Sequence, residues 1–439
     1  MKRILIALAM LAAAQVADAQ SVKTPDAAAK AVDKAVLASQ DAKKATKVAT
    51  WTTLGKAYLD AYNAPVGNAW TGASKQELML LMGSEKPVTV EDVLVGDTPY
   101  TKEIYANKDF YYDQNAVLRI INVTKPVVED ALGKSLEAYA KAYEVDVKKS
   151  KVNDVKEAIS MIHQKYASDA YTAYQLGDFK LASHYFSRAA EAMNTAPLSQ
   201  IDTNSIYNAG FTALAAGDID LAKAHFENCL SYNYYYEDGE VYAKLAHIHN
   251  QLGDKEAEVA TLEEGFAKFP QSQAILIGLI NFYRSNNQEP DRLFELIAIA
   301  KKNEPNNASL YYVEGEIYKQ LGRIEEATNS YYQCAVINPA YEFGYIGAGV
   351  MFYDEAVRLS ELASTEYDDT KYEALVQQFE KMLENALEPF EKAYEMSKDE
   401  SLKVNIAEYL KNIYYRFYSK GEQYEAGYNK YNAIVKGAN

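Results

Sequence analysis

The chain has 439 residues and a formal charge of −16, with 49% hydrophobic and 24% charged residues. That composition is globular, and the acidic balance argues against a general nucleic-acid binder, which needs a basic footprint for phosphates. Two cysteines exclude a disulfide scaffold and a Cys-rich metal site, while 37 tyrosines against 14 Phe and 2 Trp are the outlier.

In chain order, Met1, Lys2 and Arg3 give a short positive region, and residues 4–14 form an apolar run. Ala17-Asp18-Ala19 then supplies a small-x-small cleavage pattern. Residues 1–19 therefore read as a secretory signal peptide cut before Gln20. The expected product is exported to the periplasm, at most peripheral to the outer membrane. No cysteine lies near the cut, so no lipid anchor is expected. No later stretch has the run of about 18 apolar residues that spans a bilayer.

The Ala-rich residues 26–38 read as a helix, and a second runs from about Lys47 to Tyr62. The helical period breaks over residues 63–127. There, Ser74-Lys75-Gln76-Glu77 is a capping-box match, predicting a short helix to about Met82. Thr89-Val90-Glu91-Asp92 reads as the start of a further helix. Residues 108–112 and 116–123 read as strands around a turn at Asp113-Gln114-Asn115, since the second is almost entirely β-branched or apolar. A lone hairpin is marginal in water, so this one must pack on the helices or on a partner. The insertion is thus a loop that stabilises the end of the array or a partner-docking module. Residues 128–145 return to helical spacing and pair with the helix before the insertion.

One pattern then recurs. Gly177-Asp178 precedes Ala182, Phe186 and Ala189; Gly217-Asp218 precedes Ala222, Phe226 and Cys229; Gly322-Arg323 precedes Ala327, Tyr331 and Cys334. Each set lies 5, 9 and 12 residues after its glycine. Gly253-Asp254 begins the same run, with Glu258, Leu262 and Gly265 at those places. Seven residues before the four glycines stand Ala170, Gly210, Gly315 and Ala246. Small residues at helical spacing let two helices cross closely, and the turn glycine ends the first helix in a left-handed cap. Trp51-Thr52-Thr53-Leu54-Gly55-Lys56-Ala57-Tyr58 opens the chain's first pair in the same style. Such pairs must stack to bury their apolar faces.

These residues resemble the tetratricopeptide repeat, a helix–turn–helix unit of about 34 residues. Units align at 163–196, 203–236, 239–272 and 308–341, with a degenerate unit over 273–307. Residues 345–353 and 384–396 read as a further pair, with 354–383 lengthening both helices. Residues 403–417 and 423–435 close the array, with Gly421, Ala426 and Ala433 keeping the offsets and Lys430 in the aromatic place, as suits a capping helix facing water. The resemblance implies an all-α solenoid wound as a right-handed superhelix, here with a small α/β insertion holding a β-hairpin. It also suggests an exported protein of Bacteroidetes-like envelope type. The expected domains are a signal peptide over 1–19, N-terminal helices with the insertion over 20–148, a central array over 149–341 and C-terminal helices over 342–439.

The resemblance further implies a groove lined by first-helix positions 2, 5, 9, 12 and 13. That places Tyr171, Tyr174, Tyr207, Phe211, His247, Asn250, Tyr312, Glu316 and Lys319 as candidate contacts. The family's carboxylate clamp needs Lys, Asn and Asn where this chain has Ala167, Tyr171 and Tyr174, or Ala243, His247 and Asn250. Asn250 is a lone match, so no such clamp is expected. The tyrosines at 232, 234, 235 and 236 read as packing, with a contact patch as the alternative.

Signals for chemistry are absent from the sequence. Gly133-Lys134-Ser135 lies in a helical pattern and lacks the Gly-rich cradle of a phosphate loop. His247 and His249 fall on different sides of a helix, so they do not chelate one metal. Cys229 and Cys334 occupy one repeat position and read as buried free thiols. The chain is therefore expected to be no enzyme, with no cofactor and no metal. It is expected to bind a polypeptide partner of the bacterial envelope through the groove and the insertion, with a glycan as the alternative ligand.

Overall fold

A computed structural model describes residues 22–82, 85–286 and 289–438. The expected signal peptide lies outside these residues. The chain divides into two compact units, Met1–Tyr236 and Glu237–Asn439.

The first unit opens with α1 (Pro25–Gln40) and α2 (Val48–Asn63). The insertion follows, with α3 (Lys75–Leu81), β1 (Thr89–Val95), β2 (Thr98–Ile104), β3 (Lys108–Tyr112) and β4 (Leu118–Val123). The unit ends with α4 (Ala131–Val145), α5 (Val152–Gln175), α6 (Phe179–Asn194), α7 (Thr203–Ala215) and α8 (Ile219–Ser231). In the second unit come α9 (Glu240–Gln251), α10 (Lys255–Lys268), α11 (Gln273–Ser285), α12 (Pro290–Asn303), α13 (Ala308–Gln320) and α14 (Ile324–Ile337). They are followed by α15 (Glu342–Ser364), α16 (Asp369–Met396), α17 (Glu400–Arg416) and α18 (Glu422–Ala438). Every helical pair expected from the repeat pattern is present. Residues 354–383 do lengthen α15 and α16.

The Gly-Asp dyad explains the turns. Gly177, Gly217, Gly253 and Gly322 have φ between +70° and +81°, the left-handed region open to glycine. The next residue's N–H reaches back to close the ending helix, as from Asp178 to the Ala173 carbonyl at 2.9 Å and from Asp218 to Ala213 at 2.9 Å. The same aspartate then opens the next helix. Its carboxylate accepts the N–H of Leu181 in one unit and of Leu221 in another. At three of the four turns one Gly-Asp dipeptide thus ends one helix and starts the next, whereas at the fourth Arg323 follows Gly322 and its side chain caps nothing.

The small residues sit where two helices touch. A Cβ on Gly315 of α13 would lie 2.6 Å from the Tyr331 ring of α14, and one on Gly347 of α15 would meet the same ring at 2.6 Å. Gly55 of α2 likewise receives Tyr139 of α4, whose neighbour Ser135 donates to the Gly55 carbonyl at 2.8 Å. The chain therefore closes one pair across the insertion. Trp51 fills the space between the two clusters on α2, and its indole N–H donates to the Ala45 carbonyl at 2.7 Å.

The last pair departs from expectation. Ala426 and Ala433 are exposed, and the buried face of α18 carries Tyr431 and Val435. Gly427, not Ala426, lies under the Tyr414 ring. The small and aromatic places are each shifted by one residue, to Gly427 and Tyr431. The cause is the turn: residues Tyr418–Lys420 form a single 3-10 turn, and Gly421 has φ +153° instead of the tight left-handed value. The aromatic place is held by Tyr431, and Lys430 points outward beside it.

The insertion holds more strand than expected. Its four strands form an antiparallel sheet in the order β1-β2-β3-β4. The capping box at Ser74 and Glu77 is present and starts α3. The expected strands are β3 and β4. The expected helix start at Thr89 is instead β1, because Thr89–Val95 pairs along its whole length with β2. Helix α3 covers one face with Leu78 against Tyr105, Phe110, Tyr112 and Leu118. Among the described residues no helix is long and apolar enough to cross a membrane.

Candidate partner-binding surface

In the first unit four of the nine candidate contacts come together. Tyr171 and Tyr174 lie on α5, with Tyr207 and Phe211 on α7. The Tyr174 and Phe211 ring centres are 6.4 Å apart, which bridges the two first helices. Tyr171 meets Phe186 edge-on at 5.2 Å, and Tyr174 meets Phe179 at 5.6 Å. Tyr207 stacks on Tyr236 at 4.1 Å and touches Phe226 and Tyr234. Such ring contacts are worth about 0.5–1.5 kcal/mol each beyond area burial, so this seam is rigid.

The four differ in exposure. Tyr171, Tyr174 and Phe211 are half-buried, while Tyr207 is buried and supports the surface from beneath. Phe179, Tyr234 and Tyr236 join the seam without having been singled out as groove positions. For the two tyrosines the run at 232–236 was the signal. Its packing role holds for Tyr234 and Tyr236, whereas Tyr232 stays exposed. Tyr236 gets there by a left-handed residue, φ +50°, which folds the chain back over Tyr207.

Polar groups border the seam. His163 Nε2 and Asp202 Oδ2 are 2.7 Å apart, and Ser205 donates to the same carboxylate. Burial pushes Asp202 up, but these hydrogen bonds outweigh it and hold the carboxyl at about 2. Nearer the insertion, Tyr62 donates its hydroxyl to Asp169 at 2.7 Å. Burial raises Asp169 to about 6, against the Tyr62 hydrogen bond and the Lys165 charge.

The second unit places its candidates differently. Tyr312 of α13 packs on Tyr331, Tyr341 and Phe343. Glu316 accepts the Tyr331 hydroxyl at 2.6 Å, and Lys319 pairs with Asp354 of α15 at 2.7 Å. On α9, Asn250 donates to Glu258 at 3.0 Å, and His247 is exposed beside Gln251. His249 is buried, so the two α9 histidines do take different sides. The polar candidates of this unit are engaged within the chain, and its aromatic candidate stands on α13 alone.

The two cysteines are free and buried, and burial pushes both thiols up to about 12. Such thiols are poor nucleophiles. Among the described residues no group of three His, Cys, Asp or Glu side chains is placed to hold a metal.

Comparison with known proteins agrees with the helical pairs. The tetratricopeptide repeat family model matches residues 239–266 and 308–341. No curated protein matches the sequence. Among solved structures, a tetratricopeptide repeat protein from Parabacteroides merdae shares 14% identity over 56% of this chain and 98% of its own, with a TM-score of 0.38. A TPR repeats protein from Bacteroides fragilis shares 16% over 57% and 97%, with a TM-score of 0.29. YrrB, a TPR protein with an unusual peptide-binding site, shares 18% over 48% and 96%, with a TM-score of 0.33. The matched segments are the α9–α10 pair and the α13–α14 pair, and the same glycine, small-residue and aromatic places recur in pairs outside them. By this match the chain carries tetratricopeptide repeats at residues 239–266 and 308–341.

Proposed function

We propose that the chain is a non-catalytic scaffold of the bacterial cell envelope that binds a partner polypeptide through the first-helix faces of its repeats and through the insertion. Stacked helical repeats offer extended surfaces suited to protein partners. The observation that carries the groove reading is the seam of Tyr171, Tyr174 and Phe211, half-exposed and backed by buried Tyr207. Rigid aromatic anchors contribute strongly to binding because they lose little side-chain freedom. The envelope context is supported by the signal-like residues 1–19.

The test is site-specific photo-crosslinking in the native host. A crosslinking residue at Tyr174 or Phe211 should yield a discrete protein adduct, identified by mass spectrometry. The same residue at exposed Leu37 of α1 serves as the control. Adducts at Tyr174 and Phe211 no stronger than those at Leu37 would sink the groove reading.

A further inference from the structure

The insertion's sheet has two edges, and the chain treats them differently. The outer edge of β4 is closed by the chain itself. Gly72 donates its N–H to the Leu118 carbonyl at 2.7 Å, Leu118 donates back to Ala73 at 2.9 Å, and Ser74 bridges to Val117. The outer edge of β1 has no strand beside it among the described residues. Natural sheets blunt such edges with Pro, charged side chains, a bulge or a covering element, and here only the two carboxylates Glu91 and Asp92 serve, which repel an acidic strand and not a basic one. In β1, TVEDVLV, there is no Pro or Lys, and its pairing with β2 runs without a bulge.

The side chains on this edge are unusual too. Cross-strand pairing puts Val90, Glu103 and Phe110 on one face of the sheet, the face that α3 covers over β3 and β4. On β1 that face is open. Val88, Val90 and Leu94 are 75%, 53% and 72% exposed, with Asp92 between the last two. Asp92 accepts the Thr101 hydroxyl at 3.1 Å, and among the described residues it has no ion pair.

We propose that the β1 edge accepts an added strand from a partner polypeptide, with apolar side chains at alternate positions and a Lys or Arg beside Asp92. Strand addition of this kind takes affinity from main-chain hydrogen bonds and specificity from alternate side chains. A second copy of β1 is a poor occupant. Pairing the whole strand with itself, antiparallel, sets Asp92 opposite Asp92 and brings both Glu91 carboxylates alongside. Like charges in direct opposition destabilise a pair, and each chain already carries −16. A basic strand meets the acidic centre with the opposite sign. The proposal rests on the scaffold reading but uses a different surface from the groove.

The probe is a fluorescent heptapeptide, Thr-Val-Thr-Lys-Thr-Val-Thr, which reads the same in both directions and so presupposes no orientation. Fluorescence anisotropy with the purified chain should show saturable binding. Replacing the central Lys by Glu should weaken it at least tenfold, and Asp92→Lys should invert that preference. Two versions N-methylated at alternate residues, in opposite phase, should differ: one loses binding and the other keeps it. The double variant Val90→Thr/Leu94→Thr should bind more weakly with an unchanged circular dichroism spectrum. Tyr174→Ser should leave peptide binding intact, which separates this proposal from the groove. No binding by the lysine peptide, equal effects of both methylation phases, loss of binding in Tyr174→Ser, or a dimer in sedimentation that Asp92→Lys alters would each overturn it.

Discussion

The repeats and the insertion solve burial in opposite ways. In the repeats the interior is mostly apolar, small residues such as Ala182, Ala222 and Ala327 alternating with rings such as Phe226 and Tyr331, and the buried Glu258 of α10 is an exception held by Asn250. In the insertion three charged side chains are buried, Glu103, Lys108 and Asp109, while Val88, Val90 and Leu94 face water. Each buried charge has a partner. Glu103 is held by Lys75 and by the Tyr105 hydroxyl, and Asp109 by Lys102. Lys108 donates to the Pro65 carbonyl at 2.8 Å and to Glu85 at 2.9 Å. The lesson is that a repeat draws its stability from close helix crossing, whereas this sheet holds buried charges that must stay matched around a small apolar cluster.

The sharpest way to break that contrast is Lys75→Ala. It removes the cation from Glu103, and an uncompensated buried charge costs about 3 kcal/mol or more. Hydrogen exchange should then show β2 and β3 opening while helical circular dichroism is kept. Unchanged protection of those strands would mean the charges are not what holds the sheet. Next in size is Gly315→Leu in the repeats, where the added side chain meets Tyr331. Overpacking there should lower stability by about 1–3 kcal/mol, read from thermal unfolding. An unshifted melting curve would contradict the close crossing of α13 and α14.

A pH-dependent effect tests the border between the two regions. An unfolded aspartate titrates near ~3.9, whereas Asp169 titrates at about 6 in the folded chain. Between these values the folded state holds a proton that the unfolded state has lost. The contribution of Asp169 therefore falls as pH rises from about 4 to about 6. Asp169→Asn removes this dependence, so the variant should gain on the parent across that window, by up to about 3 kcal/mol. A constant difference in Tm from pH 4 to pH 7 would show that burial does not govern this carboxyl. The smallest effect belongs to the exposed valine and leucine of β1. Val90→Thr/Leu94→Thr should change stability by no more than about 0.5 kcal/mol, as exposed positions do. A large loss of thermal stability would show that these side chains are packed.

What was readable in advance follows from the same contrast. The pairs were legible because a crossing needs a small residue at a fixed offset from a turn glycine, and Gly177, Gly217 and Gly322 show it locally. β4 was legible from its β-branched run. β1 and β2 were not, because Thr89-Val90-Glu91-Asp92 imitates a helix start and β2 carries Pro99, Lys102 and Glu103. Their pairing depends on partners far along the chain, above all Lys75 for Glu103. The α18 register slipped by one for a different reason: the turn at Gly421 changed type, and the offsets assume one type throughout. Of the candidate contacts, first-helix positions 9 and 12 did bring Tyr171, Tyr174 and Phe211 to one seam. The backing from Tyr236 needed a fold-back between repeats that no helical offset encodes.

Trp51, wedged along α2, gives the chain an optical label. The chain has two tryptophans: Trp51 in the repeats and Trp70 in the insertion, 39% exposed. Both precede Tyr236, so indole emission reports the first unit while tyrosine absorbance reports the entire chain. Replacing either one by Phe leaves a single emitter in the repeats or in the insertion. A denaturant titration of the two variants then tells whether the sheet melts with its helices or before them, using no added dye.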